Sequence, residues 1–346
     1  MKINKDNVKK ILIIQPRGLG DIVLSTVISK NCRKDFPKAT IDYVVQLPLN
    51  AALEKLLFIN EIITYDRKSI KSGLGLILRV KKNNYNLVID LFSNPRTALV
   101  TFLSGAEYRA GKPASGRNYA YNIEREAHDK NAVHQVQRNL DFLRQLDISH
   151  ESQELFFGLG DEDIQYAEEF FNNNFNDGDF VAGISPSGRW PARKCDPVKL
   201  AEIGDAIVDR FGAKILLIWG PGEEEETQEI SGLMKNKTYI TPPTDIRQMG
   251  AFIAKCSMLV ANNSGPMHIA TAVETPVISL EGPTNPRIQG PFGPANESIR
   301  LEELECIGCH RVECPKNHEC FLDLPIERIM DKIEILINKN NLLAEG

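Results

Sequence analysis

The sequence predicts an α/β protein built from two doubly wound, Rossmann-like domains. Short apolar runs alternate with amphipathic stretches along the chain, as expected for parallel strands joined by crossover helices. A turn-rich segment around residues 149–179 interrupts this alternation once, and 346 residues is long for one compact domain. We therefore predict an N-terminal domain over residues 1–165, a C-terminal domain over 175–325 and a closing helix over 326–346.

The N-terminal half contains four strand-like runs. The first, residues 10–15, is apolar on both faces, as a central parallel strand is. The other predicted strands are 40–47, 61–65 and 86–92, and the predicted helices are 22–31, 50–58, 73–82, 96–104 and 134–146.

The C-terminal half repeats the alternation of strands and helices. Its predicted strands are 180–184, 214–219, 238–241, 258–261 and 277–280, and its predicted helices are 161–174, 197–210, 223–234, 246–256, 266–273 and 326–338.

A strand, a polar turn, a helix and a second strand follow one another over residues 258–280. The turn covers residues 262–265, and Pro266 stands in the first turn of the predicted helix. Open α/β sheets bind ligands at the carboxyl ends of their strands, and a helix start directs unpaired N–H groups at the ligand. This turn is therefore predicted to bind a phosphate.

A second turn, Pro16-Arg-Gly-Leu-Gly-Asp21, follows the first strand. It lacks the third glycine of a dinucleotide fingerprint and the Gly-Lys-Ser/Thr of a P-loop. On sequence alone, Asp21 is most simply a residue that caps the next helix and complements its dipole. A carboxylate in such a turn is also suited to accept a proton from a substrate hydroxyl.

Charge is divided unevenly along the chain. Residues 1–160 hold 24 Lys and Arg against 16 Asp and Glu, whereas the remainder holds 17 against 30, which gives +8 and −13 within the total of −5. The basic half indicates an anionic partner or an anionic membrane surface, unless its lysines are simply solvated. We predict no nucleic-acid partner.

No apolar run approaches a membrane span, and residues 1–6 do not resemble a signal peptide, so we expect a cytoplasmic protein.

Four of the seven cysteines cluster as Cys306, Cys309, Cys314 and Cys320. An odd total in a chain expected in the cytoplasm argues against a disulfide framework. The cluster has the composition of a structural zinc or iron site, and reduced thiols are the simpler interpretation. We assign no metal to the functional site and no cofactor to the protein.

The stretch Asn263-Ser-Gly-Pro-Met-His268, followed by a strand that ends in Gly-Pro-Thr284, resembles the ADP-heptose lipopolysaccharide heptosyltransferases of glycosyltransferase family 9. The resemblance extends from about residue 10 to residue 329 and includes the Arg17-Gly-Leu-Gly-Asp21 turn. It departs from the family at Asn263, where members carry an acidic residue, so that a charged contact to the donor sugar becomes neutral.

The resemblance implies a GT-B fold, in which an N-terminal acceptor-binding domain and a C-terminal nucleotide-sugar-binding domain, both Rossmann-like, face one another across a cleft. In this fold the last helix is expected to return toward the first domain. It also implies an inverting, metal-independent enzyme that transfers heptose from ADP-L-glycero-β-D-manno-heptose to an anionic glycolipid, a lipopolysaccharide core, at the inner face of the membrane. In this interpretation Asp21 is the catalytic base. The implied donor-binding residues are Lys194, which would meet the phosphates, Glu224, which would hold the ribose hydroxyls, and Asn263, Ser264, Gly265 and His268.

Basic residues of the N-terminal half are candidates for acceptor contacts, although each is also explained as a solvated charge. The candidates are Arg17, Arg96, Arg109, Lys112 and Arg117.

Other functions are compatible with the same motifs. One is transfer from a different nucleotide sugar. A second is a sugar-nucleotide epimerase, which needs another acid or base to remove a carbon-bound proton. A third is a nucleotide-sugar-binding protein without catalysis, which the loss of the acidic donor contact at Asn263 leaves open.

Overall fold

The structure of the protein, a computed structural model, describes residues 2–126 and 133–343. It divides into two compact units, Met1–Gly158 and Leu159–Gly346. The division falls within the turn-rich segment at residues 149–179 and precedes the helix at residues 161–174, which belongs to the second unit.

The first unit contains a six-stranded, entirely parallel sheet with the strand order β3-β2-β1-β4-β5-β6. Its elements are β1 (Lys10–Ile14), α1 (Leu19–Asp35), β2 (Thr40–Gln46), β3 (Glu61–Tyr65), α2 (Ile70–Asn83), β4 (Leu87–Asp90), α3 (Pro95–Leu103), β5 (Tyr108–Gly111), β6 (Ile123–Glu124) and α4 (Gln135–Gln145).

The second unit contains another six-stranded parallel sheet, with the order β12-β11-β10-β7-β8-β9. Its elements are α5 (Asp161–Asn174), β7 (Val181–Ser185), α6 (Pro197–Phe211), β8 (Lys214–Leu217), α7 (Glu224–Leu233), β9 (Thr238–Ile240), α8 (Ile246–Lys255), β10 (Met258–Asn262), α9 (Gly265–Ala272), β11 (Val277–Leu280), α10 (Pro286–Gln289), β12 (Glu297–Ile299), α11 (Glu319–Leu322) and α12 (Ile326–Asn340).

The two sheets share one topology. In each unit the chain builds outward from a central strand in one direction and then returns to build in the other, so the strand order reverses between β1 and β4 and between β7 and β10. Ligands of open α/β sheets bind at the carboxyl edge, the edge at which the strands end, where this reversal occurs. The topology therefore selects one ligand-binding position in each unit.

The predicted elements largely match those of the structure, with three strands and the four-residue helices α10 and α11 added and one helix replaced. The strands β5, β6 and β12 are only four, two and three residues long, too short to give a periodic signal. The helix predicted over residues 50–58 is wrong: a single 3-10 turn, Leu49–Ala52, is followed by irregular backbone. Lys55 adopts a left-handed φ of 69°, which is incompatible with a continuing helix.

The closing helix, α12, packs against α6, β11 and β12 of its own unit. Its buried face contributes Ile329, Ile333 and Leu336 to the core that surrounds the second sheet. This buried face completes the apolar core of the second unit.

Among the described residues, no helix combines the length and apolar character needed to cross a bilayer.

Candidate functional site

The turn between β1 and α1 places Asp21 in the first turn of a long helix at the carboxyl edge of the first sheet. Gly18 precedes that helix with a φ of 82°, a region that favours glycine. A Cβ at Gly18 would also collide with the carboxylate of Asp21. The glycine therefore allows both the backbone turn and the position of the Asp21 side chain.

Asp21 lines a pocket of about 130 Å³ in the first unit. The pocket lies between the ends of β1 and β4, where the strand order reverses. Its lining residues are Gln15, Asp21, Ser25, Leu91, Phe92, Gln135 and Asn139. Most of these groups are polar, so the pocket can bind a hydroxylated molecule beside a carboxylate.

Two of the predicted acceptor-binding residues lie near this edge. The guanidinium carbon of Arg17 is 5.7 Å from the centre of the Phe92 ring, and Phe92 lines the Asp21 pocket. Lys112 follows the end of β5, and its backbone N–H donates to the Ser93 hydroxyl at 2.9 Å. Both residues are thus placed beside the turn that follows β4.

The structure places Arg109 differently from the prediction. Its Nε donates to the carbonyl of Ala120 at 3.0 Å, and one terminal nitrogen donates to the carbonyl of Ala106 at 2.7 Å. Arg109 is the second residue of β5, and Ala106 precedes that strand, so these bonds direct the guanidinium away from the carboxyl edge. The side chain joins two backbone segments and is not brought to the Asp21 pocket.

Asp90, at the end of β4, is a site-supporting residue that the sequence analysis missed. It is fully buried and accepts hydrogen bonds from the backbone N–H groups of Phe92 and Ser93 and from the Tyr121 hydroxyl. Burial raises the pKa of this carboxyl group, and the hydrogen bonds partly oppose the shift. Asp90 fixes the turn that carries Phe92. A lone Asp at the end of an apolar strand was the available signal.

In the second unit, Ser264, Gly265 and His268 form the beginning of α9 at the carboxyl edge of the sheet. Ser264 is the residue before the helix, and its hydroxyl oxygen is buried without a hydrogen-bond partner in the described part of the chain. Gly265 begins the helix, and the buried His268 lies one turn further on. This places a helix start and a serine hydroxyl where an anion can bind.

Asn263, predicted to contact the donor, turns its side chain inward. The amide nitrogen lies 2.9 Å from each carboxylate oxygen of Glu281 and 3.0 Å from the carbonyl oxygen of Gln289. Asn263 is buried, with 4% of its surface exposed. Its amide therefore holds the turn against buried groups of the same unit. This geometry does not support the predicted direct contact with the donor.

Glu281 is a fully buried carboxylate that follows β11 and was not singled out from the sequence. Besides the Asn263 amide, it accepts hydrogen bonds from the hydroxyl groups of Ser279 at 2.8 Å and Thr284 at 2.6 Å. Burial raises the pKa of the carboxyl group, while these hydrogen bonds act in the opposite direction. The carboxylate thus ties the α9 turn to the end of the neighbouring strand.

Lys194 lies among acidic side chains from the beginning of α7. Its ammonium pairs with Glu226 and lies 3.8 Å from a carboxylate oxygen of Glu223. Glu223 also accepts hydrogen bonds from the Ser187 hydroxyl and from the Gly220 backbone N–H. The predicted Glu224 is exposed on the first turn of the helix. The structure therefore brings Glu223 and Glu226 to Lys194 and leaves Glu224 at the surface.

Asn262 joins the segments that carry these groups. Its amide nitrogen donates to the carbonyl of Pro186 at 2.9 Å, and its amide oxygen accepts from the backbone N–H of Cys195 at 3.0 Å. Asn262 is fully buried at the end of β10. It thereby fixes the loop after β7 and the residue after Lys194 against the strand that leads into the α9 turn.

The four clustered cysteines surround a small cavity together with Gly282. Burial, and then the neighbouring thiols, raise the pKa of Cys320 to about 12. Over the described residues, all seven cysteines are free and no three Cys, His, Asp or Glu side chains are arranged as ligands of a metal ion. Ala192, Gly282 and Pro283 also line this cavity, so the cluster packs beside the loop that leads to Lys194 and the segment that follows β11.

Comparison with known proteins identifies the chain as a glycosyltransferase. The model of the family described as "Glycosyltransferase family 9 (heptosyltransferase)" matches residues 74–319, so the chain belongs to glycosyltransferase family 9. It is similar to lipopolysaccharide heptosyltransferase 2 of Escherichia coli (strain K12), with 24% identity over 95% of this chain and 98% of that protein.

Solved structures show the same fold. The glycosyl transferase family 9 structure from Veillonella parvula DSM 2008 has a TM-score of 0.84 and 23% identity, covering 96% of this chain and 97% of that one. The E. coli ADP-heptose lps heptosyltransferase II structure has a TM-score of 0.77 and 21% identity, covering 96% and 99%. The predicted α/β fold of the GT-B type, the family and the enzymatic class are confirmed.

Proposed function

We propose that the protein is an inverting heptosyltransferase that uses an ADP-heptose donor and a lipopolysaccharide-core acceptor. The observation that carries this proposal is the position of Asp21. A carboxylate lines a polar pocket at the point of strand reversal, and the glycine at position 18 gives it room. Membership of a family whose relatives are named as heptosyltransferases supports the sugar and the acceptor.

In the proposed reaction an acceptor hydroxyl occupies the Asp21 pocket. Asp21 accepts the hydroxyl proton as the oxygen attacks the anomeric carbon from the side opposite the diphosphate. The new carbon–oxygen bond forms while the bond to the phosphate oxygen breaks, and that electron pair leaves with ADP. A single displacement of this kind inverts the anomeric configuration.

The beginning of α9 and Lys194 stabilise the departing diphosphate. Negative charge grows on the phosphate oxygens as the sugar leaves, and a helix start, a serine hydroxyl and an ammonium group are suited to stabilise it. Lys194 is held by Glu223 and Glu226. The donor phosphates replace one of these carboxylates as partner of the ammonium.

We assign the contact with the donor ribose to Glu223 and not to Glu224, the residue expected from the sequence. Glu223 is half-buried and oriented by Ser187 and by the Gly220 N–H, whereas Glu224 is exposed. A carboxylate that is already held in place binds a pair of hydroxyl groups with less loss of conformational freedom. Asn263 acts as a positioning residue, because its hydrogen bonds to Glu281 hold the turn that begins α9.

Arg17 and Lys112 are proposed to bind anionic groups of the acceptor. Both lie at the same edge as Asp21, and the half of the chain that contains them is basic, with a net charge of +8 over residues 1–160. The acceptor is then an anionic glycolipid, and the enzyme works in the cytoplasm at the inner face of the membrane.

Mass spectrometry of reaction products tests the proposal. The pure protein is mixed with a panel of ADP-, GDP- and UDP-sugars, with and without core-oligosaccharide acceptors. We expect heptose to be added to the acceptor only with ADP-heptose. Conversion of a nucleotide sugar without an acceptor would favour an epimerase, and tight ADP binding without transfer or hydrolysis would favour a binding protein; either result contradicts the proposal.

A further inference from the structure

Helix α2 exposes an apolar face that the protein core does not use. Ile70, Leu74 and Leu78 are spaced by four residues and therefore share one side of the helix. Their exposed fractions are 83%, 57% and 68%. The opposite side of α2 supplies Leu76 and Val80 to the core beneath it. The helix is thus apolar on two sides, and only one of them is covered within its unit.

Helix α3 has a similar exposed face. Leu99, Phe102 and Leu103 are its exposed large apolar residues, and the ring of Phe102 packs edge-on against that of Tyr119 with centroids 5.1 Å apart. Its buried Val100 belongs to the same core cluster as Leu76 of α2. The two helices therefore cover the same face of the first sheet.

The two exposed faces belong to neighbouring helices. α2 and α3 pack against each other, and the Arg96 guanidinium donates to the carbonyl of Arg67 at 2.9 Å, which joins the starts of the two helices. We call this the α2–α3 surface; its apolar residues are Ile70, Leu74, Leu78, Leu99, Phe102 and Leu103.

The charged residues within α2 and α3 are all basic, whereas exposed acidic residues occur only in the flanking segments, at Glu61, Asp66 and Glu107. Residues 67–83 contain six Lys and Arg and no Asp or Glu, and α3 contains Arg96 and no acidic residue. Lys81 projects on the same side of α2 as Leu74 and Leu78, and Lys71 and Lys82 flank that side. All three lysines are exposed. Long basic side chains of this kind extend to headgroups while apolar neighbours enter the bilayer.

We propose that the α2–α3 surface binds the face of an anionic lipid bilayer. A protein interface is depleted in lysine near its centre, whereas an apolar surface on helices whose charged residues are all basic complements anionic headgroups. This inference extends the proposed function because it specifies how the enzyme reaches a lipid-linked acceptor. Binding to lipid does not itself require transfer, so the two proposals can be tested separately.

The location of the surface suits that use. α2 and α3 follow β3 and β4, so in a parallel sheet both helices begin at the carboxyl edge. Asp21 begins its helix at the same edge, and the turn before α3 contributes Phe92 to the Asp21 pocket. A bilayer bound along the α2–α3 surface therefore reaches the same carboxyl edge that carries the pocket proposed for the acceptor hydroxyl.

Vesicle flotation tests the proposal with the full chain and two matched double variants. Leu74→Gln/Leu78→Gln alters the α2–α3 surface, and Leu233→Gln/Ile335→Gln alters apolar residues of the second unit that are about half exposed, at 45% and 48%. With vesicles of phosphatidylcholine and phosphatidylglycerol, we expect the first variant to bind about tenfold more weakly than the natural chain and the control to bind within about twofold. Pure phosphatidylcholine or ~0.5 M salt should also weaken binding about tenfold.

A tryptophan reporter distinguishes insertion from simple electrostatic adsorption. The two tryptophans of the chain, Trp190 and Trp219, lie in the second unit. Leu78→Trp therefore adds a probe whose emission should shift to shorter wavelength on anionic vesicles, while Ile335→Trp should not shift. Equal shifts at the two positions, or equal vesicle binding by the two double variants, would overturn the proposal.

Two parallel measurements separate the remaining outcomes. If the natural chain is dimeric by light scattering and Leu74→Gln/Leu78→Gln is monomeric, with neither bound to vesicles, the surface joins two copies and the lipid proposal is wrong. Transfer to a water-soluble core oligosaccharide, assayed without vesicles, should be unchanged in this variant. If the natural chain transferred no sugar at all, the proposed function would be contradicted, while the measured binding to vesicles would still stand.

Discussion

The side-chain amide nitrogen of Asn263 lies 2.9 Å from both carboxylate oxygens of Glu281. An amide at position 263 donates to this buried carboxylate, whereas an acidic residue there would face it with a like charge. The departure from the family pattern at Asn263 is therefore matched within this chain by the carboxylate at Glu281.

Asn263→Asp should lower the free energy of unfolding by about 3 kcal/mol at pH 8, because it creates an uncompensated buried charge. Burial already raises the pKa of Glu281, and a second carboxylate raises it further. In the folded variant the two carboxyl groups at positions 263 and 281 share a proton, which the unfolded chain releases at about pH 4. The loss of unfolding free energy is thus small below the unfolded pKa and grows as the pH rises from that value through the raised pKa of the folded pair.

Denaturant unfolding at pH 5 and pH 8 checks this prediction, with the natural chain measured at both values. The double variant Asn263→Asp/Glu281→Gln restores one donor and one acceptor, so it should regain most of the lost stability. If the two single substitutions were additive in the double variant, the proposed coupling would be wrong.

Asp21→Asn should reduce the rate of transfer by about 10³-fold, within the range expected for the loss of a general base. The substitution keeps the size of the side chain beside Gly18, so affinity for ADP should not change. Asp35→Asn, at the other end of α1, is the matched control and should retain activity. Transfer by Asp21→Asn at the natural rate would exclude Asp21 as the base.

Lys194→Met should weaken ADP binding by about tenfold or more, because a cation that meets the phosphates is lost. Adenosine, which has no phosphate, should bind both proteins equally weakly. Calorimetry with the two ligands measures the difference, and Lys235→Met, an exposed lysine of the same unit, serves as control. A parallel loss for adenosine would indicate a structural role for Lys194.

Glu223→Gln should raise KM for the nucleotide sugar about tenfold, while Glu224→Gln should leave it within about twofold. The reason is that Glu223 is fixed by Ser187 and Gly220, whereas Glu224 is exposed. Steady-state kinetics of the two variants decide between adjacent residues of nearly identical chemistry. The reverse order of effects would restore Glu224 as the ribose contact.

The sequence was sufficient to place Asp21, Ser264 and Gly265, because strand-turn-helix units fix where such residues lie in a parallel sheet. It could not give the direction of side chains. Whether Glu223 or Glu224 turns inward depends on where α7 begins, a difference of one residue. The inward turn of Asn263 depends on Glu281, 18 positions away, and the orientation of Arg109 depends on carbonyl groups of a neighbouring segment.

Charge and hydrophobic periodicity in the sequence predicted the kind of partner and the presence of a helix, but not which helix face is exposed. The basic first half predicted an anionic partner, but the amphipathic pattern of α2 indicated only a helix with one buried side. That Ile70, Leu74 and Leu78 remain uncovered depends on what packs against the helix in the folded unit. Solvent exposure is a property of the tertiary structure, and periodicity alone does not report it.

Each six-stranded sheet draws all of its strands from one side of the Gly158–Leu159 boundary. Every strand of the described chain thus finds its backbone partners within its own half, and each half has its own apolar core. We expect that two separately expressed polypeptides, divided at this peptide bond, would each fold autonomously and melt in its own calorimetric transition. Such modularity would let acceptor and donor preferences diverge independently, by exchange of one half at a time.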